Sequence, residues 1–497
     1  MKKNPVLSGF YPDPSVCRVD DDYYLINSTF AFFPAVPIFH SKNLTDWTQI
    51  GNILDRPSQV KLESCGHSQG IFAPTIRFYN GMFYMITTNV SGGGNFIVTA
   101  KKPEGPWSEP YYLGENVKGI DPSLFFDDNG TCYYVGTQER REGGKYYGDN
   151  EIWIQELDLK TMKLVGESTA IWHGFMKDAV WPEGPHIYKK DGFYYLLYAE
   201  SGTAFHHCIA VARSRNILGP YEGNKSNPIF THRHLGRNFP ITCVGHADLV
   251  DDGNGNWYML MLACRPEKGY TLMGRETFIA DVKWEDGWPV VNAGVGYLQM
   301  VNLQNEKYKH KYELHKDKLP LDMLMLRSDC KDRVKVFDEY IRLYMKKETM
   351  TQTLNPAFVG IRQQHKNFQF TVECNNSCEE NEFAGIVYMK NEKEQVRLEI
   401  TKDKIKAIDV QNGEENIISV NNLNQKNIKL KVQVYGLNAS VLYKENGSWN
   451  VLASNIDLRH LSTEKAGGFT GCVVGVYASG KQSDNFIDFK EFTYEEL

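Results

Sequence analysis

One pattern in the first 300 residues narrows the fold before anything else. Five times the chain runs through a short aromatic strand: DDYYLINST at 21–29, GMFYMITTN at 81–89, GTCYYVGTQ at 130–138, GFYYLLYAE at 192–200 and GNWYMLMLA at 255–263. Each is bounded by Gly, Asp or Asn, which is a strand signal. Aligned on one aromatic they give Tyr24, Tyr84, Tyr133, Tyr195 and Tyr258, at intervals of 60, 49, 62 and 63 residues. A period of about 50–60 residues holds four short strands and their turns, which is one propeller blade. The spacing predicts a five-bladed β-propeller over residues 1–308.

A second element precedes each aromatic strand: YPDPSV at 11–16, FAPTI at 72–76, IDPSLF at 120–125, WPEGPHI at 181–187 and GHADLV at 245–250. Its key position reads Asp13, Ala73, Asp121, Glu183 and His246, 11 or 12 residues before the aligned Tyr. Equivalent positions on innermost blade strands surround one channel, so these five residues are expected at a common mouth.

Beyond residue 300 the repeat stops. A charged, Pro-containing stretch at 309–332 reads as a linker. From 333 to 497 short strands alternate apolar and polar residues between Gly, Asn and Asp turns, the pattern of an antiparallel β-sandwich or jelly roll. The fold class is therefore all-β. No run approaches the roughly 18 apolar residues of a membrane span, and the start, MKKNPVLSGFYPDPS, has no apolar signal-peptide core. The net charge of −6 argues against nucleic acid as the main partner. Ten cysteines form no CxxC pair and no zinc spacing, so they read as free thiols in a reducing, cytoplasmic compartment. His206 and His207 read as structural, and THRHLGR offers no third ligand beside His232 and His234.

The carboxylates point to chemistry. Two carboxylates flanking a glycosidic bond are the usual equipment for sugar hydrolysis. Glu183, among Trp, Pro and Gly, suits an acid with a raised pKa. Asp13, between two prolines, suits a positioned base. Asp121 at the same level is placed to tune Glu183. Asp-Pro and Pro-Glu-Gly are also ordinary turn sequences. Three carboxylates at one position of a five-fold repeat favour function. His246 reads as shaping the channel floor or holding a water or ion.

NPVLSGFYPDPSVCRVDDDYYLINSTF, FAPTIRFYNGMFYMITTN, GIDPSLFFDDNG, WPEGPHIYKKDGFYYLLYAESGT, GHADLV and GRETF together resemble glycoside hydrolase family 43, in particular its two-domain β-xylosidases and α-L-arabinofuranosidases. AFVGIRQQHKNFQFTVEC and AGGFTGCVVGVYASG resemble their concanavalin-A-like sandwich. The resemblance implies an inverting, exo-acting mechanism with Asp13 as general base, Glu183 as general acid and Asp121 as the residue that raises and orients the acid. It implies Arg275 as a contact to substrate and base, Phe30, Phe32, Phe33 and Phe72 as apolar walls, Thr203 near the pocket, and Phe469 as a sandwich residue closing one side. Phe72, where related xylosidases often carry Trp, and SGGGNF at 91–96 lean toward arabinofuranosidases, although one pocket could accept both sugars.

The implied substrates are xylo- or arabinoxylo-oligosaccharides. No organic cofactor is required. The resemblance also allows a Ca²⁺ or other ion in the central channel near His246, as in some relatives. The sequence allows a homo-oligomer but names no interface. The rival readings are a glycoside phosphorylase or fructan-cleaving enzyme on the same fold, or a non-catalytic sugar-binding protein. A phosphorylase needs a cationic phosphate clamp, fructan enzymes carry Asn-Asp-Pro-Asn in place of Tyr-Pro-Asp-Pro, and a lectin has no evident use for three carboxylates in a closed pocket.

Overall fold

The computed structural model describes residues 4–300, 307–481 and 484–497. Five four-stranded antiparallel sheets follow one another. Their innermost strands are Ser15–Val19, Thr75–Tyr79, Ile120–Phe126, Glu183–Lys190 and Thr242–Asp251, and each is followed by its aromatic strand. These first strands contact one another around a ring, so the sheets are blades of a propeller. The amino terminus closes the circle on the fifth blade. Val6 N–H donates to the Thr277 carbonyl at 2.9 Å, and Asn4 exchanges two side-chain bonds with the backbone of Ile279.

The strand pairing moves one member of the repeat. Cys17, Arg77, Phe125, Tyr188 and Val250 lie opposite Tyr24, Tyr84, Tyr133, Tyr195 and Tyr258. Counted back from those partners, the residues that correspond to Asp13, Ala73, Asp121 and His246 in the fourth blade are not Glu183 but Gly184. Glu183 instead shares its position with Phe72 and Ile120. The X-Pro pairs Asp13-Pro14, Ala73-Pro74, Asp121-Pro122 and Gly184-Pro185 carry the same register. Asp121, Gly184 and His246 fall at register shifts in their strand pairs. Such bulges re-aim side chains and gather near active sites.

The bulge has a backbone cost that explains its residue types. Asp13 (φ 53°), Asp121 (φ 54°), Gly184 (φ 58°) and His246 (φ 42°) are all left-handed. That region costs about 1–3 kcal/mol for most side chains, and Asp, His and above all Gly tolerate it best. Gly184 has a second reason to lack a side chain, since a Cβ there would sit 3.0–3.1 Å from the His246 ring.

Two residues further along each first strand lies a second ring: Ser15, Thr75, Ser123, His186 and Asp248. Thr75 Oγ1 donates to the Pro122 carbonyl at 2.9 Å and Ser123 Oγ to that of Pro185 at 2.6 Å, tying neighbouring blades. Arg77 of the second blade donates to both oxygens of Asp248 in the fifth, at 2.8 and 3.1 Å, and meets His186 Nδ1 of the fourth at 2.9 Å. This ion pair ties the second, fourth and fifth blades together beneath the mouth.

The second domain is a sandwich of an eight-stranded and a six-stranded antiparallel sheet. Its inner faces form one core, with Phe368, Phe370, Ile386, Leu398, Val432 and Val476 fully buried. The stretch 309–332 carries two short strands. Lys309–Lys311 adds to the sandwich strand Phe486–Glu496, and Met325–Leu326 pairs with Phe32–Phe33 of the propeller. Arg362 of the sandwich donates to the Phe10 carbonyl at 3.0 Å and lies over the Phe10 and Tyr11 rings. The only α-helix among the described residues is one turn, Thr463–Ala466. No described helix is long and apolar enough to cross a membrane.

Candidate active site

Asp13, Asp121, Glu183 and His246 converge at the channel mouth. Asp13 is buried, and both its oxygens are held: Arg275 Nη1 donates to Oδ1 at 3.0 Å and Ser28 Oγ to Oδ2 at 2.6 Å. Burial opposes its ionisation, but Arg275, His246 and the Ser28 hydroxyl outweigh that and keep the carboxyl below the usual range. It is a carboxylate at neutral pH. Arg275 begins the third strand of the fifth blade, and its Nη1 also donates to Thr203 Oγ1 at 3.0 Å.

Glu183 is in the opposite condition. It is partly open to the pocket, yet desolvation, with the Asp121 and Asp13 charges added, lifts its pKa well above the ordinary value. Asp121 is buried and is itself raised to about 6, chiefly by burial. Its Oδ2 accepts the Gly184 N–H at 3.1 Å, fixing the backbone beside Glu183 from the neighbouring blade. The environments therefore push the Asp13 and Glu183 pKa values in opposite directions, the condition under which acid and base roles can be divided at one pH. His246 Nδ1 lies 3.7 Å from Asp13 Oδ1 and 3.9 Å from Asp121 Oδ2, between the two carboxylates.

The wall of the pocket is aromatic and comes from both domains. Phe30 lies 5.7 Å from Phe72 and 6.0 Å from Phe469, and Phe72 lies 5.8 Å from Phe469, centroid to centroid. The Arg275 guanidinium sits over the Phe30 and Phe469 rings at 5.8 and 5.4 Å. Phe469 remains 37% exposed, so its ring is available to a bound molecule.

Phe32 and Phe33 do not join this wall. Phe32 is fully buried against Phe10 and Leu326, and Phe33 lies in the large core shared with the sandwich. Their strand is consumed by pairing with Met325–Leu326, a partner almost 300 residues away. His207, which the sequence reads as structural, packs beneath the strand that carries His246. Its Nδ1 lies 3.2 Å from the Cys243 carbonyl, and its ring packs so close beneath Gly245 that a Cβ there would come within 2.2 Å. Burial, with His246 nearby, lowers its pKa to about 3, leaving it neutral. Ser28 also went unread, because nothing in Asn-Ser-Thr distinguishes a hydroxyl aimed at Asp13. His232 accepts the Leu298 N–H at Nε2 (2.9 Å) and meets the Ile241 carbonyl at Nδ1 (2.8 Å), a structural role.

Among the described residues no three His, Cys, Asp or Glu side chains are grouped to hold a metal. The Arg77 guanidinium, bonded to His186 and Asp248, forms a charge-balanced ion pair below His246.

Three clustered carboxyls, one held below and two raised above the ordinary range, beside an aromatic wall at the mouth of a five-bladed propeller, are the equipment of a glycosidase. The chain belongs to family 43 of the glycosyl hydrolases: that family's profile matches residues 2–289, and the β-xylosidase C-terminal concanavalin A-like domain matches 311–495. It is 51% identical to a xylosidase/arabinosidase of Butyrivibrio fibrisolvens, over 99% of both chains. It is 33% identical to a non-reducing end α-L-arabinofuranosidase of Bacteroides ovatus, over 99% of this chain and 94% of that one. The structure of a xylan β-1,4-xylosidase from Bacillus halodurans superposes with a TM-score of 0.90 at 32% identity over the whole of both chains.

Replacing Asp121 with Asn removes a negative charge that helps hold the proton on Glu183. The expected result is a lower pKa on the alkaline limb of kcat/KM, so activity is lost at lower pH than in the unaltered enzyme. An unmoved alkaline limb in a pH–rate series would show that Asp121 does not tune the acid. Because the carboxyls interact, the fitted values belong to the cluster and not to single residues.

Proposed function

We propose that the protein is an exo-acting, inverting hydrolase that releases terminal α-L-arabinofuranosyl and β-D-xylosyl residues from hemicellulose-derived oligosaccharides. The observation that carries this is the pairing, in one pocket, of an Asp13 carboxyl held below the usual range by Arg275 with a Glu183 carboxyl raised above it by desolvation. Asp13 takes a proton from water as it attacks the anomeric carbon. Glu183 gives its proton to the departing oxygen, and Arg275 holds Asp13 in place. Inversion needs room for that water, about 6.5–9.5 Å between the carboxyls. Phe469, reaching in from the sandwich, supports attack at a chain end, because it limits the pocket on one side. The names of the relatives support both sugars. All ten cysteines are free thiols, which supports a reducing cytoplasm and imported short oligosaccharides as substrate.

The test is hydrolysis of 4-nitrophenyl β-D-xylopyranoside and 4-nitrophenyl α-L-arabinofuranoside side by side. Turnover of both is expected, with their kcat/KM ratio setting the preference. No release of nitrophenol from either would overturn the reading.

A further inference from the structure

Lys390 lies in the sandwich strand Phe383–Asn391, is 1% exposed, and forms no ion pair within 4.0 Å among the described residues. Burial lowers its pKa to about 8, so at neutral pH an ammonium sits in the interior. A buried charge without a contacting counterion is costly, and its few partners indicate what it holds. Nζ donates to Thr463 Oγ1 at 2.9 Å and to the Thr470 carbonyl. Those residues open and close the segment that carries Phe469.

The rest of that segment is fastened to the propeller. Glu464 accepts from Thr271 N–H and Oγ1 at 2.7 and 2.8 Å, Cys472 N–H donates to the Leu272 carbonyl at 2.8 Å, and Phe469 N–H donates to Ser68 Oγ at 2.9 Å. Gly471 approaches the Met273 carbonyl so closely that a Cβ would lie 2.3 Å from it. Residues 271–274 lead directly into Arg275. Between these anchors, Gly467 (φ 69°) and Gly468 (φ 75°) turn the chain just before Phe469.

We propose that Lys390 is a positioning residue for the reaction: by bridging Thr463 and Thr470 it staples the two ends of the turn and holds Phe469 as the sandwich-side wall of the pocket. The inference rests on the glycosidase reading of that pocket, because the wall matters only if a terminal sugar binds against it.

Lys390→Met keeps the chain length of the side chain and removes the donor. We expect KM for the aryl glycoside to rise at least ten-fold with kcat changed less than three-fold. In a Phe469→Ala background the same substitution should have no further effect on KM, because both act through one ring. Trypsin cleavage after Lys465, an exposed residue of the turn, should accelerate at least five-fold in the folded variant. Thr463→Val, which removes one acceptor with little change in volume, should move KM and cleavage in the same direction and serves if Lys390→Met does not fold. An unchanged KM or cleavage rate in the folded variants, or additive effects in the Phe469→Ala background, would overturn the proposal. If the unaltered enzyme turned over neither glycoside, the glycosidase reading would fail, while the cleavage rates would still decide whether Lys390 holds the turn.

Discussion

Asp13→Asn is expected to abolish turnover of every substrate, with kcat/KM falling about 10³–10⁴-fold, the upper range for loss of a general base. The amide keeps the shape of the side chain and tolerates the left-handed backbone at this position (φ 53°), so the fold is retained. It cannot take a proton from water. Base assistance is needed whatever the leaving group, and the loss should be the same on oligosaccharides and activated aryl glycosides. Arg275, now facing a neutral partner, cannot compensate. Steady-state kinetics on both substrate types, with circular dichroism to confirm folding, checks this. Turnover within ten-fold of the unaltered enzyme would remove Asp13 from the mechanism.

Glu183→Ala should give a selective loss. A sugar leaving group is a poor one and needs its oxygen protonated, so activity on xylobiose is expected to fall about 10³-fold or more. A dinitrophenolate leaves without that help, and its glycoside should lose far less. The pH profile separates the roles further. Activity on the acid side is lost as pH falls through the lowered pKa of Asp13, which must be ionised. Activity on the alkaline side is lost as pH rises through the raised pKa of Glu183, which must be protonated. The variant should therefore lose the alkaline limb and keep the acid one. Equal losses on both leaving groups would mean that Glu183 is not the acid.

The features legible from the sequence were the ones with local, repeated signatures. Aromatic strands at regular intervals marked the blades. Asp13, Asp121 and His246 stood out because the left-handed backbone they share admits few residue types, and Asp and His are among them and ionisable. In the fourth blade the left-handed position is Gly184, and the carboxylate precedes it by one residue, so Glu183 looks like a member of the repeat without occupying its backbone position. Phe30, Phe72 and Phe469 meet as the family resemblance implied. Phe32 and Phe33 do not, because their environment is decided by a pairing with Met325–Leu326 that leaves no local trace. The deeper ring, with Arg77 bridging His186 and Asp248, was illegible for a related reason. Its members come from different blades, and each looks ordinary in its own strand. Ser28, His207 and Lys390 make their contacts with residues distant in the sequence, which spacing cannot reveal.

The central claim is that Asp13 directs water to the face opposite the bond that Glu183 helps to break. The most direct measurement follows the hydrolysis of an aryl β-D-xylopyranoside by proton NMR and records which anomer of xylose forms first. The account predicts α-xylose, appearing before mutarotation builds up the β form. Initial formation of β-xylose would require a covalent or double-displacement route and would contradict the roles given to both carboxyls.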